Sequence, residues 1–365
     1  MLEIVVVDSR KKRKQFHQFT RELYKEDKEF ISHIDQDIEA IFSPDKNASF
    51  TNGKAKRWLA IEDEKIVGKI AAFYNEKQSG IGFFDCINNQ FVANALFIKA
   101  CKWLKDNGQT SVEAPVNFGE RDKYWGLLVE GFENPSYQEP YNFPYYKDIF
   151  ENFGFVKEFE QTTSEVNPST INPKIFERYR NRAAKDSNLQ ARHFKFNEMD
   201  KYVRAFVEIY NKAWQQHEFF IPLTVERVTK LFKEMKPILR EDIMWFVFDE
   251  DKPVAFYISI IDVNQIFRHV NGNLNWLGKL KFLWYRWRVK ITRIRGIVFG
   301  VVPEYQNKGA YSSMLVSMYD VVLNDPHLRT TELSWIGDYN PKMHALFRSL
   351  NATKTKLHFT YKKLL

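Results

Sequence analysis

The chain has 365 residues, 44% hydrophobic and 16% aromatic, which is more than one compact domain usually contains. Its 15 glycines and 13 prolines exclude collagen-like and low-complexity proteins, and no apolar run approaches the roughly 18 residues of a membrane-spanning helix. The chain has only two cysteines, and its N-terminus is apolar first and basic second, which is the reverse of a secretory signal. These features predict a globular protein of the reducing cytoplasm.

The net charge of +8 is concentrated in one segment. Between Asn264 and Gly300 there is no acidic residue but there are eight basic ones, which are Arg268, Lys279, Lys281, Arg286, Arg288, Lys290, Arg293 and Arg295. The rest of the chain has 46 basic and 46 acidic residues and is therefore neutral. The charge is a local feature, and its candidate partners are nucleic acid, a membrane surface or an acidic ligand.

Taken in chain order, the first half alternates strands and helices. Hydrophobic periodicity predicts a strand, a charged helix, a two-stranded hairpin, a fourth strand, a helix that stops at Gly108, another strand and a short helix that stops at Gly154. The predicted ranges are 2–8, 11–27, 57–62, 66–74, 81–86, 91–105, 111–116 and 145–153.

The same order recurs after a polar connector at 161–188, which contains a basic helix at 175–185. The predicted ranges are 190–196, 198–217, 225–239, 243–248, 254–261, 294–302, 311–323, 332–336, 341–350 and 354–362. This recurrence predicts two copies of one mixed α/β unit. The predicted boundaries are 1–160 for the first domain, 161–188 for the linker and 189–365 for the second domain.

One loop carries the clearest chemical signal. Strand 294–302 leads through Pro303 to Gly309 directly into a helix, whose free backbone N–H groups and dipole suit a pyrophosphate. Gly309 allows close approach of the backbone, and Gln306 and Lys308 can reach phosphate oxygens. The alternative is an ordinary strand-to-helix turn, because the loop has only one glycine.

This loop resembles the acyl-CoA pyrophosphate loop of the Gcn5-related N-acetyltransferase (GNAT) superfamily, whose pattern is Gln/Arg-x-x-Gly-x-Gly/Ala. Gln306 and Gly309 match the pattern, whereas Tyr311 stands where the last small residue is expected. The resemblance implies two tandem GNAT-like domains, acetyl-CoA or a longer acyl-CoA as co-substrate, and no metal. The cofactor-binding residues that it implies are Val301, Val302, Gln306, Asn307, Lys308, Gly309, Ala310, Tyr311, Ser312 and Asn340.

Three residues farther along are candidates for proton transfer. Glu332 and Ser334 share one face of strand 332–336, where a carboxylate beside a hydroxyl could accept a proton from an attacking ammonium. The alternative for Glu332 is a solvated strand residue, and Asp338 is a further candidate. Phe347 stands where the superfamily often has a Tyr that protonates the leaving thiolate, so the acid must come from elsewhere, or the thiolate leaves on backbone and water hydrogen bonds.

Three runs of the first half resemble a bacterial family of tandem GNAT proteins with the patterns Gly-Pro-x-Asn-Phe, Gly-Leu-Leu-Val-Glu-Gly-Phe and Pro-Tyr-Asn-x-Pro-Tyr-Tyr. They are residues 114–118, 126–132 and 140–146. Some members carry a dATP pyrophosphohydrolase label, for which this sequence has no acidic metal-binding cluster. Others resemble acyltransferases that N-acylate sphingoid bases in bacterial ceramide synthesis. The first half has no glycine loop after strand 81–86, so no cofactor is expected there, and its aromatic turns either fill the core or line an acceptor pocket.

The basic insert, 264–293, contains a predicted amphipathic helix at 275–291. Its apolar stripe consists of Trp276, Leu277, Leu280, Leu283, Trp284, Trp287 and Ile291, and its flanks consist of Lys279, Lys281, Arg286, Arg288 and Lys290. A tryptophan-rich face with basic flanks is what a helix in an anionic membrane interface needs. The alternative is a helix that packs its tryptophans on the first domain. Nucleic acid is the weakest of the three predictions, because no familiar nucleic-acid module is present.

Together these features predict an N-acyltransferase that moves an acyl group from acyl-CoA, or from an acyl carrier protein, to an amine acceptor. The preferred acceptor is a lipid-type amine, such as a sphingoid base, at the inner face of the membrane. The competing prediction is a non-catalytic ligand-binding protein on a degenerate tandem GNAT fold. Tyr311, Phe347 and the absent loop of the first half motivate that alternative.

Overall fold

The structure is a computed structural model that describes residues 1–185, 188–215, 222–306 and 308–365. Its strands are β1 (Leu2–Val6), β2 (Lys54–Glu62), β3 (Lys65–Tyr74), β4 (Ser79–Cys86), β5 (Ser111–Ala114), β6 (Leu127–Glu130), β7 (Val156–Val166), β8 (Leu189–His193), β9 (Met244–Asp249), β10 (Lys252–Ile261), β11 (Arg293–Val301), β12 (Thr330–Gly337) and β13 (Thr353–Leu364).

Its α-helices are α1 (Arg10–Leu23), α2 (Asp35–Ile41), α3 (Gln90–Asp106), α4 (Tyr146–Asn152), α5 (Pro173–Ala183), α6 (Met199–Trp214), α7 (Val225–Met235), α8 (Asn264–Phe267), α9 (Trp276–Arg288), α10 (Ala310–Asn324) and α11 (Pro341–Ser349). The mixed α/β class predicted from the sequence is confirmed. The last two residues of the helix predicted at 198–217, and residues 186 and 187 of the predicted connector, lie outside the described residues.

The described strands form one continuous sheet in the order β1-β2-β3-β4-β5-β13-β7-β12-β11-β10-β9-β8, with β6 paired to β13. Most neighbours are antiparallel. The exceptions are β4 with β5, which meet at the single pair Gly80–Glu113, and β11 with β12. Each half therefore contains one parallel pair that separates after a short contact, and each has a helix, α3 or α10, between the two strands in the chain.

The two halves share their last strands. β7 closes the first half of the chain, yet it pairs with β12 of the second half, and β13 closes the second half, yet it pairs with β5 of the first. β7 and β13 pair with each other at the centre of the sheet. The predicted domain boundary at residue 160 falls inside β7. Neither half can complete its sheet without the last strand of the other.

The cores follow from the apolar faces of these elements. The first-half core includes Trp58, Leu96 and Phe97, and the second-half core includes Phe194, Phe246 and Phe256. A smaller cluster joins α5 to α10, α11 and β12. The elements that the hydrophobic pattern does not predict, α2, β6 and α8, are only four to seven residues long, which is too short to show a periodicity.

Replacing Gly131 is expected to destabilise the fold at the contact between the loop after β6 and β13. Gly131 has φ +76°, and a Cβ there would lie 1.9 Å from the Thr355 carbonyl oxygen. Gly131→Ala should therefore lower the free energy of unfolding by about 3 kcal/mol, measured by urea denaturation. The matched control is Gly108→Ala, where φ is +82° but the surrounding space is open. Equal losses in the two variants would contradict the steric explanation.

Candidate active site

The second half has a gap between two parallel strands. β11 and β12 pair from Arg293–Thr330 to Gly296–Leu333, and beyond that point no pair joins them among the described residues. β11 continues along β10, whereas β12 continues along β7. The Ser334 hydroxyl donates to the Gly296 carbonyl at 2.5 Å, at the narrow end of the gap. Strand edges that part in this way present backbone groups to a ligand rather than to each other.

The register of β11 on β10 decides which backbone groups face the gap. The Val302 N–H donates to the Val254 carbonyl at 3.0 Å, on one side of the Val301–Ala255 pair. That pair is therefore a non-hydrogen-bonded one, and the N–H of Val301 points to the other edge of β11, toward the gap. The same alternation turns the N–H of Phe299 to the gap. The N–H of Val302 is already used in a hydrogen bond within the sheet. The N–H of Phe299 is a candidate ligand-binding group that the sequence analysis did not predict.

The loop at the wide end of the gap leads into α10. Gly309 adopts φ +82°, and α10 begins at the next residue, Ala310. Gln306 and Lys308 are exposed, with the Lys308 ammonium 4.6 Å from the centre of the Tyr305 ring. The Ser312 hydroxyl is fully buried and has no hydrogen-bond partner in the described part of the chain. Asn307, another predicted loop residue, lies outside the described residues.

Asn340 lies on the opposite side of the gap, at the start of α11. Its side-chain oxygen accepts from the Met343 N–H at 3.2 Å and caps the helix. Asp338 is exposed, and its N–H donates to the Glu160 carbonyl of β7. Phe347 is buried in the cluster that joins α5, α11 and β12. The predicted cofactor-binding residues that the structure describes thus lie at the end of β11 and at two helix starts that flank one gap, whereas Asp338 lies on the surface.

The connector helix α5 covers the groove between α10 and α11. The Phe176 ring stacks on Tyr319 of α10 with centroids 3.6 Å apart, and the Tyr179 hydroxyl lies 2.7 Å from the Ser349 hydroxyl of α11. Arg180 forms an ion pair with Asp320 of α10.

The end of α5 reaches the loop as well. Arg182 donates to the Tyr311 hydroxyl at 3.0 Å, and its carbonyl oxygen would lie 3.1 Å from a Cβ on Gly309. A larger residue at position 309 would therefore meet α5, in addition to the strain of its positive φ. The predicted pyrophosphate loop and α5 are in direct contact.

Glu332 lies in the interior, under a loop of the first half. Its side chain is fully buried, the Ser136 hydroxyl donates to its Oε2 at 2.6 Å, and Arg295 Nε lies 3.1 Å from its Oε1. Lys356 of β13 is 3.9 Å away and pairs more closely with Glu139, at 2.6 Å. The sequence places Glu332 and Ser334 on one face of a strand, but the fold puts Glu332 inside an ionic network between the halves.

Burial sets the protonation of this network. Desolvation, followed by the charge of Glu139, raises the pKa of Glu332 above its usual range, although Lys356 and Arg295 oppose the shift. For Glu139 desolvation is also the largest single effect and acts upward, but the charges of Lys356, His358 and Arg295, with the hydrogen bond from Lys356, together outweigh it and hold the pKa below its usual range. Of the two carboxyl groups, Glu332 is the one that retains its proton more readily.

Four members of this network were missed by the sequence reasoning, namely Ser136, Glu139, Lys356 and His358. A signal was present in β13, where Lys356, His358 and Thr360 alternate with apolar residues, so that a polar face of a central strand had to be buried. No signal in the sequence connects this face to the loop that carries Ser136 and Glu139, because the contact depends on the pairing of β13 with the first half.

Acidification is expected to destabilise the fold through His358. Burial lowers its pKa to about 4, within a site formed by Glu139, Lys356, Arg295 and the Pro140 carbonyl. An unfolded chain binds this proton below about pH 6.5, so the free energy of unfolding should fall by about 1.4 kcal/mol per pH unit between pH 6.5 and 4. Urea denaturation at several pH values measures the slope. His358→Gln should flatten it, and an unchanged slope would contradict the assignment.

In the described parts of the chain, no group of three or more His, Cys, Asp and Glu side chains is placed to hold a metal ion. No protein-family model matches the chain. Protein YghO of Escherichia coli (strain K12) is 26% identical over 372 residues, which cover 96% of this chain and 92% of that protein. Bacterial ceramide synthase of Caulobacter vibrioides is 24% identical over 381 residues, which cover 100% of this chain and 98% of that protein.

Among solved structures, the tandem GNAT protein from the clavulanic acid biosynthesis pathway has a TM-score of 0.58 at 10% identity, covering 100% of this chain and 98% of that one. The chain has the tandem GNAT fold. A GNAT from Sphaerobacter thermophilus has a TM-score of 0.52 at 11% identity, with 100% and 95% covered. The GNAT resemblance of the sequence is thus confirmed at the level of the fold, and the gap between β11 and β12 is the parted strand pair of the second GNAT unit.

Proposed function

We propose that the protein is an N-acyltransferase that transfers an acyl group from an acyl-CoA thioester to the amine of a lipid. The observation that supports this most directly is the gap of the second GNAT unit, which has inward-pointing N–H groups and a helix start on either side. Similarity along the whole chain to a protein named bacterial ceramide synthase supports an amine lipid as the acceptor.

In the proposed reaction, the neutral amine attacks the thioester carbonyl carbon, a C–N bond forms and the C–S bond breaks. The oxyanion would accept hydrogen bonds from the N–H groups of Phe299 and Val301, which are fixed by the β-ladder before the reaction. The ammonium proton passes to a base, for which Ser334 and Asp338 remain candidates beside Glu332. Phe347 cannot protonate the thiolate, so the thiolate leaves stabilised by hydrogen bonds from backbone N–H groups and water, and its proton comes from water.

The donor would lie along the gap, with its pyrophosphate at the start of α10. There the free N–H groups of the first turn, with Gln306 and Lys308, would face the phosphate oxygens. Acyl carrier protein, the alternative donor, carries the same thioester arm without the nucleotide. Supplying each donor separately to the enzyme distinguishes them, because the carrier protein offers a single phosphodiester where acyl-CoA offers a pyrophosphate and a nucleotide.

The α9 face is the proposed contact with the membrane. It consists of Trp276, Leu277, Leu280, Leu283, Trp284 and Trp287, all of which are exposed, with Trp287 at 81% and Trp276 at 70%. The helix is held from its other side by Phe282, which packs on Phe267, and by Tyr285, which stacks on His269. The tryptophans of α9 are therefore exposed and do not pack on the first domain, which was one of the two interpretations of the sequence.

Charge complementarity favours an anionic membrane as the occupant of the α9 face. Lys279, Lys281, Arg286, Arg288 and Lys290 border it, and each basic residue near an anionic surface is worth about 1 kcal/mol. No helix in the ranges that the structure describes is long and apolar enough to span a bilayer. We therefore propose a peripheral contact at the inner face of the membrane.

Removing two tryptophans is expected to weaken binding to anionic vesicles at least tenfold. Trp276→Ser with Trp287→Ser deletes much of the apolar area of the α9 face, and burying such area is worth about 25 cal/mol per Å². Sedimentation with vesicles of phosphatidylglycerol and phosphatidylcholine measures the binding. Phe91→Ser, at a 69% exposed position of α3, is the matched control and should bind like the wild type. Equal binding of all three proteins would exclude the α9 face as the contact.

The test of the activity is an acylation assay with long-chain acyl-CoA and sphinganine, read by mass spectrometry of the N-acyl product. Product formation that depends on both substrates is expected. The second candidate function, a non-catalytic ligand-binding protein, is favoured by Tyr311 and Phe347 and by the α5 helix over the groove. Binding of acyl-CoA without product, in the presence of vesicles and with acyl carrier protein also tried, would favour that candidate.

A further inference from the structure

The two faces of the gap between β11 and β12 are covered by different elements. Leu333 of β12 belongs to the apolar cluster with α5, α10 and α11, so Glu332 before it points to the opposite face. The β10 partners of Gly300 and of Arg295, the neighbour of Glu332, share one face of β10, and a Cβ on Gly300 would meet Trp214 of α6 at 2.7 Å. Since the donor is proposed at α10 and α11, the acceptor would reach the gap from the face that α6 covers.

A segment of the first half, from Glu120 to Trp125, crosses this acceptor face. Glu120 Oε1 lies 3.3 Å from Arg227 Nη2 of α7, and the Trp125 ring lies 6.0 Å from the ring of Trp335. Trp335 lies on β12 beyond its last pair with β11, so Trp125 is at the gap. Asp122 lies between these two anchors, and three residues of chain span at most about 11 Å. The first half therefore places Asp122 beside the gap of the second half.

The charges around Asp122 show which elements face it. Its side chain is open to solvent, yet desolvation by the surrounding protein raises its pKa, Lys123 and Arg295 oppose the shift, and Glu120 adds to it. Desolvation, followed by the charges of Glu120 and Asp122, raises the pKa of Tyr210 of α6. Asp122 thus lies in a cleft between α6 and β11, and this cleft is accessible to a ligand.

Asp122 differs from the other acidic groups on this face in having no partner. Glu120 pairs with Arg227 and also with Lys123, at 3.2 Å, so the cation next to Asp122 in the chain is already used. Glu332 is buried in its ionic network. Asp122 forms no ion pair and no side-chain hydrogen bond with any other residue that the structure describes. A cation that enters the cleft would therefore meet an unpaired carboxylate.

We propose that Asp122 binds the ammonium group of the acceptor and takes its first proton, so that the first half supplies a catalytic residue to the gap of the second half. This inference rests on the proposed acyl transfer. The neutral amine then attacks the thioester carbonyl, the C–N bond forms and the C–S bond breaks. The second proton of the nitrogen leaves through water, which also protonates the thiolate. The raised pKa of Asp122 makes the first proton transfer less unfavourable, because it lies closer to that of an ammonium.

The experiment compares Asp122→Asn with the wild type in acyl transfer from palmitoyl-CoA to sphinganine, over a pH range of about 5 to 9. The variant should lose at least 100-fold in kcat/KM for the acceptor. In the wild type kcat/KM should decline toward acid pH, because a protonated Asp122 cannot take the proton, and the residual activity of Asp122→Asn should lack this decline. Asp122→Glu should recover about tenfold of the loss. Asp45→Asn, at an exposed position of the first half, is the matched control.

A binding measurement separates this inference from the proposed function. Calorimetry with dodecylamine, in the presence of the unreactive desulfo-CoA, should show at least tenfold weaker binding to Asp122→Asn than to the wild type. If the wild type forms no product but Asp122→Asn weakens dodecylamine binding, the acyl transfer is overturned and the ammonium site stands. Product formation by the wild type, together with wild-type kcat/KM or an unchanged acidic decline in Asp122→Asn, would overturn the role of Asp122 alone.

Discussion

Cross-linking α5 to α11 is expected to abolish the binding of acyl-CoA. Tyr179 and Ser349 touch across the groove between α10 and α11, with their hydroxyl oxygens 2.7 Å apart. We expect a donor that lies along the gap between β11 and β12, with its pyrophosphate at the start of α10, to extend into this groove, so that α5 has to move away before the donor can bind. A cross-link holds α5 in place and should reduce the affinity to below the limit of detection.

The experiment uses Tyr179→Cys with Ser349→Cys in a Cys101→Ser background, because Cys86 is buried and Cys101 is partly accessible. A short bifunctional methanethiosulfonate reagent closes the pair, and a reductant reopens it. Calorimetry with palmitoyl-CoA should show no binding before reduction and binding after it. The same variant without the reagent is the control. Undiminished binding by the cross-linked protein would mean that the cofactor enters elsewhere.

Loosening α5 should have the opposite effect. Phe176→Ala removes the ring that stacks on Tyr319, so α5 loses its main apolar contact with α10. If the covered state competes with the cofactor, this variant should bind palmitoyl-CoA more tightly than the wild type, since less free energy is lost in moving α5. Weaker binding would instead make α5 part of the cofactor site.

Removing the charge of Lys356 is expected to be the most damaging single change to the stability of the fold. Lys356 and Glu139 are both almost completely buried, and their ion pair, at 2.6 Å, joins β13 to the first-half loop at 134–139. Lys356→Met leaves Glu139 as an unpaired interior charge. We expect the free energy of unfolding to fall by about 3–5 kcal/mol in urea denaturation.

The control for this prediction is the double variant Glu139→Gln with Lys356→Met. In the wild type the Ser136 N–H donates to Glu139 Oε2 at 2.7 Å, and the amide oxygen introduced by Glu139→Gln can still accept this hydrogen bond. Because both members of the ion pair are neutralised, neither is left as an unpaired charge. The double variant should therefore be more stable than Lys356→Met alone, although it carries one more substitution. A double variant that is less stable than the single one would show that the network is held by packing rather than by charge balance.

The placement of Glu332 illustrates why a site is harder to predict than a strand. Period-two alternation along β12 correctly puts Glu332 and Ser334 on one face. What that face meets depends on the loop of the first half that carries Ser136, 196 residues away in the chain. Local periodicity does not reveal such a contact. The environment of the Glu332 carboxyl group, and the direction of its pKa shift, therefore follow only from the assembled fold.

In the basic insert, by contrast, the local pattern predicted most of what the structure has. Its amphipathic pattern predicts the apolar stripe of α9, and the prediction includes all six residues of the exposed α9 face. The pattern alone left open whether that stripe is packed or exposed. The fold answers this because Phe282 and Tyr285, on the other side of the helix, attach it to the protein. Ile291, which the helical wheel placed in the stripe, lies beyond the helix end and is buried.

The sequence by itself determined the order of the longer helices and strands, the duplication of one mixed α/β unit and the local character of the positive charge. These depend on the period of apolar residues, on glycines at helix ends and on composition, all of which are local. Only the tertiary structure decided the exchange of β7 and β13 between the halves and the cover of α5 over the groove. These depend on contacts between residues far apart in the chain, where many alternative pairings satisfy the same local pattern and only the packing of the whole sheet selects one.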